Sequence, residues 1–292
     1  MSHCPYSLET SAAYEKWRDR KLADYPGETQ DLLTEIRDPG NLTRGEIHSI
    51  RKAVGLGNFA LYQSRCAMDR AGLVDFAAQL GLHHIVSNPG ADHRGISTLR
   101  VNPTDPEPRY IPYGNQPLNW HTDGYYNPES TRVRSFVLHC ASPADNGGEN
   151  RILDHEILYI RLRDENPGFI RALMHPEAMR IPANVSEKGV IRTDTVGPVF
   201  SLGRRGHLNM RYTARTRSIQ WRKEPVLDLA RQRITAFLEQ SDFIFSHTLE
   251  AGQGLLCNNV LHARTGFTDS ASQARLIYRA RYTDRVETPD HS

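Results

Sequence analysis

Asn119-Trp120-His121-Thr122-Asp123-Gly124-Tyr125 sets an imidazole and a carboxylate one residue apart. In extended chain, residues i and i+2 share a face, so His121 and Asp123 are expected to point the same way. Neutral imidazole plus carboxylate makes two thirds of the facial triad that holds non-haem Fe(II) and leaves coordination positions open. The pair alone is a weak signal. With 13 histidines and 34 acids in 292 residues, chance supplies roughly 1.5 His-x-Asp/Glu pairs. The chain has a second, His175-Pro176-Glu177, but it follows a helical run and its side chains need not share a face.

The company of the first pair raises it. Gly252-Gln253-Gly254-Leu255-Leu256-Cys257-Asn258-Asn259-Val260-Leu261-His262 reads as a turn, an apolar strand and then a histidine, with Arg264, Arg275 and Arg279 following. In a strand over Arg275–Tyr282, Arg275, Ile277, Arg279 and Arg281 share one face, a poor choice for an apolar core. Two readings remain open: a sheet face turned to solvent, or a barrel interior that binds a small dicarboxylate through the guanidinium fork. Arg211, Arg215 and Arg217 form another cationic stretch, either a solvated loop or part of a substrate-covering segment.

Around these residues the pattern calls for many short strands with helices beside them. Helices are expected over Leu8–Leu22, Gln30–Ile36, Asp69–Leu80, His155–Leu162, Pro167–Met174 and Leu227–Leu238. Another should run from the capping box Thr43/Glu46 to Val54. Strands are expected over Asn58–Gln63, Thr98–Val101, Arg134–Cys140, Arg151–Asp154, Phe243–Leu249, Gly254–Asn258 and Arg275–Tyr282. A proline-rich loop (Pro103, Pro106, Pro108, Pro112, Pro117) delivers the chain to Trp120-His121. Ile181–Trp221 reads as short strands and loops. The fold class is mainly β with flanking helices (α+β), built on a closed or sandwiched core.

Hydrophobic content of 38% and charged content of 24% are those of a globular chain. A net charge of +2 without long runs of one sign gives no reason to invoke nucleic acid or membrane. No apolar run approaches the ~18 residues of a membrane span, and Met1-Ser2-His3-Cys4-Pro5 lacks the shape of a signal peptide. Cys4, Cys66, Cys140 and Cys257 are scattered and contain no Cys-x-x-Cys, so free thiols and a cytoplasmic location are expected. Homo-oligomerisation is compatible with the sequence.

The chain resembles the taurine-dioxygenase-like (TauD/TfdA) family of Fe(II)/2-oxoglutarate-dependent oxygenases. The motifs that carry the resemblance are Asn119–Asp123, Gly147-Gly148-Glu149-Asn150, Gly254–His262 and Arg275-Leu276-Ile277-Tyr278-Arg279. It spans about Gly57–Tyr282, leaving residues 1–56 as a helical segment outside it. The resemblance implies a single oxygenase domain over 1–292 with a double-stranded β-helix (jelly-roll) core at 57–282 and helical insertions. It implies His121, Asp123 and His262 as iron ligands and Arg275 as partner of the distal carboxylate of 2-oxoglutarate. Asn150 stands where the family often has a co-substrate-binding threonine, a departure that weakens its assignment. Arg279 matches a position that engages an acidic substrate group in some members. Gly124 and Tyr125 would face the substrate, with Arg211 as a further candidate.

Asp123 speaks against a halogenase, since those members replace the carboxylate. The implied reaction is a dioxygenase's: with Fe(II), 2-oxoglutarate and O2, a C–H of a small anionic metabolite is hydroxylated with release of succinate and CO2. The competing readings are a non-catalytic jelly-roll binding protein, a metal enzyme of similar fold that takes no oxo-acid, and a ligand set at His175, Glu177 and His247.

Overall fold

Residues 4–9, 11–88, 90–102, 104, 111–186 and 189–288 are described by the structure, a computed structural model. Part of the proline-rich loop, including Pro103, Pro106 and Pro108, lies outside the described residues. The chain groups into two compact units: residues 1–25, 120–132 and 153–244, and residues 26–119, 133–152 and 245–292.

The second unit is organised by a six-stranded sheet. Its order is Leu33–Ile36, Phe59–Ser64, Gln253–Cys257, Ser135–Ser142, Leu276–Tyr282, Ser97–Leu99. The three central strands are almost wholly buried, which is why their sequences run apolar rather than alternating. Pairing is antiparallel except between Leu33–Ile36 and Phe59–Ser64, where Leu33 faces Leu61 in parallel. A one-residue shift between Leu276 and Ile277 moves the partner from Ser142 to Cys140. This bulge sits beside Arg275, so strand regularity begins at Leu276 and not at Arg275 as the sequence pattern suggests. A smaller sheet has the order Phe245–His247, Asn150–Leu153, Leu261–Arg264, Leu118–His121. The pair Asn146–Gly147 and Phe267–Thr268 closes a hairpin-like contact beside it.

Two helices cover this unit. Arg44–Gly57 starts at Thr43, whose hydroxyl accepts from the Glu46 N–H while the Glu46 carboxylate takes the Thr43 N–H, the expected capping box. Arg70–Gln79 is capped by Asp69 and ends before Gly81, whose φ of 90° needs a residue without Cβ. Tyr62, His139 and Tyr278 stack across the sheet face toward Phe76 of that helix.

The first unit contains the helices Ser11–Ala23, His155–Glu165, Pro167–Leu173 and Pro225–Gln240 with short strand pairs between Met179 and Trp221. Lys21 ties the first of these helices to the His155–Glu165 helix. Its ammonium lies 2.7 Å from Asp154 and 2.9 Å from Glu156, all three side chains being nearly buried.

One sequence expectation gives way, and one strand is added. Gln30–Ile36 is not helical: a single 3-10 turn, Thr29–Leu32, leads into the Leu33–Ile36 strand. Pairing with Phe59–Ser64 buries Leu32 and Ile36 completely, and this overrides local propensity. The Leu261–Arg264 strand, which carries His262, is additional to the strands read from the pattern.

Candidate metal and co-substrate site

The strand that holds His121 ends at that residue, and Asp123 opens a turn through Tyr126. Alternation along a strand is therefore not what aligns the pair. Thr122 does so from the middle: its N–H donates to the Tyr212 carbonyl (3.0 Å), and its hydroxyl accepts from the Tyr212 N–H (3.0 Å). Thr122 is fully buried on that side. Ala214 N–H adds a bond to the Trp120 carbonyl (2.8 Å), and His121 bridges Thr213. Fixed this way, His121 Nε2 lies 3.7 Å from Asp123 Oδ1, with both side chains under a tenth exposed. Gly124 follows with φ 64°, and the turn closes through Asn127 N–H to its carbonyl.

His262 arrives from the smaller sheet after the turn at Asn258-Asn259. Asn259 takes φ 52° and donates its amide to the Val133 carbonyl (2.7 Å), which pins the turn. His262 Nδ1 lies 3.0 Å from the Val260 carbonyl. A carbonyl only accepts, so Nδ1 carries the proton and Nε2 presents its lone pair. The Phe136 ring lies 4.7 Å from the imidazole. One ligand atom each from His121, Asp123 and His262 falls within 4.8 Å of the others. Among the described residues no other group of three or more His, Cys, Asp or Glu side chains meets that condition. His175 is instead used locally, its Nδ1 accepting the Glu177 N–H at 3.0 Å.

Arg275 is anchored by its main chain, whose N–H donates to Asp269 Oδ1 (2.9 Å). Its side chain is 5% exposed, and the guanidinium makes no hydrogen bond to any described residue. It lies 5.0 Å from the centre of the Phe267 ring. Burial holds the guanidinium below its ordinary value. A Cβ on Gly148 (φ 78°) would come within 3.6 Å of Arg275 Nε, and one on Gly147 within 2.4 Å of the Gly266 carbonyl. Gly147, with no Cβ to meet the Gly266 carbonyl, thus permits the close approach that pairs it with Phe267.

Asn150 is buried, but its amide donates to the His247 carbonyl (3.3 Å), so part of its capacity already serves the sheet. Arg279 faces Leu138 and Arg281 faces Phe136 across the ladder. They therefore share the face on which Phe136 touches His262, which settles the open choice in favour of an interior row. Arg211 departs from its expected part. It is buried, and its Nη2 donates to the carbonyls of Met179 and, at 3.4 Å, Gly197. Burial, with Arg132 nearby, lowers it to about 10. Arg211 is a brace between strands. The cation that meets the turn after Asp123 is Arg215, whose Nη1 donates to Tyr125 Oη (3.1 Å).

Sequence reasoning gave no role to Arg264, Phe267 or Thr122. Only Arg264 had a signal, its place two residues after His262.

Residues 22–281 match the family described as Taurine catabolism dioxygenase TauD, TfdA family. The chain belongs to this family. Membership starts some thirty-five residues before the expected edge at Gly57, and so includes the Leu33–Ile36 strand. A uridine-5'-phosphate dioxygenase of Streptomyces sp is 30% identical over 177 residues, 58% of this chain and 63% of that protein. One of Amycolatopsis sp is 25% identical over 194 residues, 64% of this chain and 68% of that protein. Among solved structures, asparagine oxygenase with Fe(II), 3-hydroxyasparagine and succinate superposes with a TM-score of 0.58 at 16% identity. It covers 82% of this chain and 78% of its own. The non-haem iron oxygenase OrfP with Fe and alpha-ketoglutaric acid gives 0.61 at 15% identity, covering 84% and 82%. These neighbours share the fold, and the fold class is the jelly-roll expected from the sequence.

Proposed function

We propose that the chain is an Fe(II)- and 2-oxoglutarate-dependent dioxygenase that hydroxylates a C–H of a small anionic metabolite. The observation that carries this is the His121/Asp123/His262 cluster, and Arg275, a buried cation whose guanidinium lacks a hydrogen-bonding partner among the described residues, supports it. Two imidazoles and a carboxylate suit a divalent iron, and a guanidinium in a dry pocket suits a carboxylate. When bound, the iron with O2 and 2-oxoglutarate supplies the oxidising chemistry. The balance is R–H + 2-oxoglutarate + O2 → R–OH + succinate + CO2.

The residues have separate tasks in this reading. His121, Asp123 and His262 would hold the metal, and the Val260 carbonyl fixes the His262 tautomer. Arg275 orients the far carboxylate of the co-substrate, with Phe267 and Gly148 shaping its surroundings. The buried apolar residues Phe136 and Leu138 keep water from the interior face. Arg279 on that face and Arg215 at Tyr125 are the cations offered to the substrate. The names of the two relatives make a nucleoside 5′-phosphate the first substrate to try. No helix of the described residues is long and apolar enough to cross a membrane, and with its free cysteines a cytoplasmic site of action is part of the proposal.

Anaerobic addition of Fe(II) and 2-oxoglutarate should produce a weak visible charge-transfer band that His121→Ala or His262→Ala abolishes. Succinate formation in air should then rise with uridine 5′-phosphate and not with uridine. A wild-type protein without the band rejects the co-substrate assignment. A band with no response to any phosphate ester rejects the substrate assignment alone.

A further inference from the structure

Arg264 stands two residues beyond His262 on the same strand and is 6% exposed. Its Nη2 donates to the carbonyls of Gly114 (3.0 Å) and Gln116 (2.5 Å), and its guanidinium carbon lies 4.8 Å from the centre of the Phe267 ring. Arg275 lies 5.0 Å from the centre of the same ring. Neither arginine pairs with a carboxylate of the described residues within salt-bridge distance. The nearest acid in the sequence, Asp269, is exposed and takes the Arg275 main-chain N–H. Phe267 is held in place by its own N–H to the Asn115 carbonyl (3.1 Å) and by pairing with Gly147. Two buried positive charges therefore share one aromatic side chain; backbone carbonyls fix that of Arg264, and neither meets an opposing charge among the described residues.

Such an arrangement is costly unless an anion completes it. One carboxylate can be bound by one guanidinium fork, so Arg275 alone would suffice for geometry. The second charge adds field, not contact. We propose that Arg264 is a positioning residue of the oxo-acid pocket, whose fixed charge beside Arg275 makes the pocket select a 2-oxo acid carrying a second carboxylate. The inference rests on the assignment of the Arg275 pocket to 2-oxoglutarate. It gives Arg264 a role distinct from that of Arg275: it tunes the preference for a diacid over a monoacid without touching the ligand. In a medium of effective dielectric about 20, a fixed unit charge close to the bound carboxylate is worth on the order of a tenfold change in affinity or more.

The test compares wild type with Arg264→Gln, Arg264→Met and Arg264→Lys. Dissociation constants are measured anaerobically with Fe(II), from the visible band and by calorimetry, for 2-oxoglutarate and for 2-oxopentanoate, which lacks the distal carboxylate. The neutral variants should weaken 2-oxoglutarate about tenfold and leave 2-oxopentanoate within about twofold. Arg264→Lys keeps the charge on a shorter stem that cannot hold the two bonds from Nη2 to Gly114 and Gln116 in their present geometry, and should retain most of the diacid preference. Equal loss for Lys and for the neutral variants would show a brace for residues 114–116 and overturn the proposal. Unchanged 2-oxoglutarate binding in the neutral variants overturns it too. Should Arg264→Gln fail to fold, Arg264→Met, which keeps the apolar stem, gives the same comparison. Absence of 2-oxoglutarate binding in wild type would be a failure of the pocket assignment itself, recognisable before any variant is made.

Discussion

Arg275→Met separates a ligand-binding cation from a structural one. A core arginine that braces the fold loses its hydrogen bonds when truncated, and the protein loses several kcal/mol with them. Arg275 has no such bonds to lose: its guanidinium contacts the Phe267 ring and nothing that accepts a hydrogen bond among the described residues. Removing it forfeits a cation–π contact of about 0.5–2 kcal/mol and relieves the desolvation of a buried charge by a comparable amount. The Tm of the ligand-free protein should therefore move by less than about 3 °C. Binding should suffer far more. Two charge-assisted hydrogen bonds to a carboxylate are together worth roughly 3–4 kcal/mol, or about 10²- to 10³-fold in the dissociation constant of 2-oxoglutarate. Anaerobic titration of the Fe(II) protein measures this, and a thermal melt without co-substrate gives the stability arm. A loss of affinity under about fivefold refutes the reasoning, as does a fall in Tm beyond about 6 °C.

Two predictions concern the scaffold. Lys21→Met leaves the Asp154 and Glu156 carboxylates facing each other without their cation, and should cost about 3–5 kcal/mol in denaturant unfolding; an unchanged midpoint would contradict it. Asp284 accepts the N–H groups of His83 and His84 (2.6 Å each) and meets His84 Nδ1 at 2.8 Å. Burial acts to raise its carboxyl, but these bonds outweigh it and hold it below the ordinary 3.8. A depressed carboxylate contributes stability that is full above its unfolded value and is lost as pH falls through its folded one. Asp284→Asn should thus cost about 1–2 kcal/mol at neutral pH, and the gap should close progressively below pH 3.8. A gap independent of pH would show that the ionised form is not what matters.

What could be read from the chain depended on whether the cause was local. The Thr43/Glu46 box and the ends of the helix expected over Asp69–Leu80 are settled within a few residues, and each appears within a residue of where the pattern puts it. Gln30–Ile36 fails because the decision is made by a partner 28 residues away: Leu33 pairs with Leu61. The bulge that frees Arg275 from the strand is likewise a property of the Ser142/Cys140 register and is invisible along the chain.

The chemistry follows the same division. His121 and Asp123 were picked out by a spacing argument that assumed a continuous strand, yet the strand stops at His121. The pair converges because Thr122 is locked to Tyr212 from behind, a cause that the spacing argument did not contain. Arg275 and Arg279 could be singled out because charge inside an apolar strand is conspicuous. Arg211 was equally conspicuous and proved to be a brace, since a sequence shows that a cation is present but not whether carbonyls already occupy it. Arg264 is the harder case, because it is braced by carbonyls as Arg211 is and yet shares the Phe267 ring with Arg275. For a buried arginine in this fold, hydrogen bonds to the backbone fix its position and leave its charge uncancelled. That remaining charge ties Arg264 to the co-substrate, and it is why substitution by lysine rather than by a neutral residue decides its role.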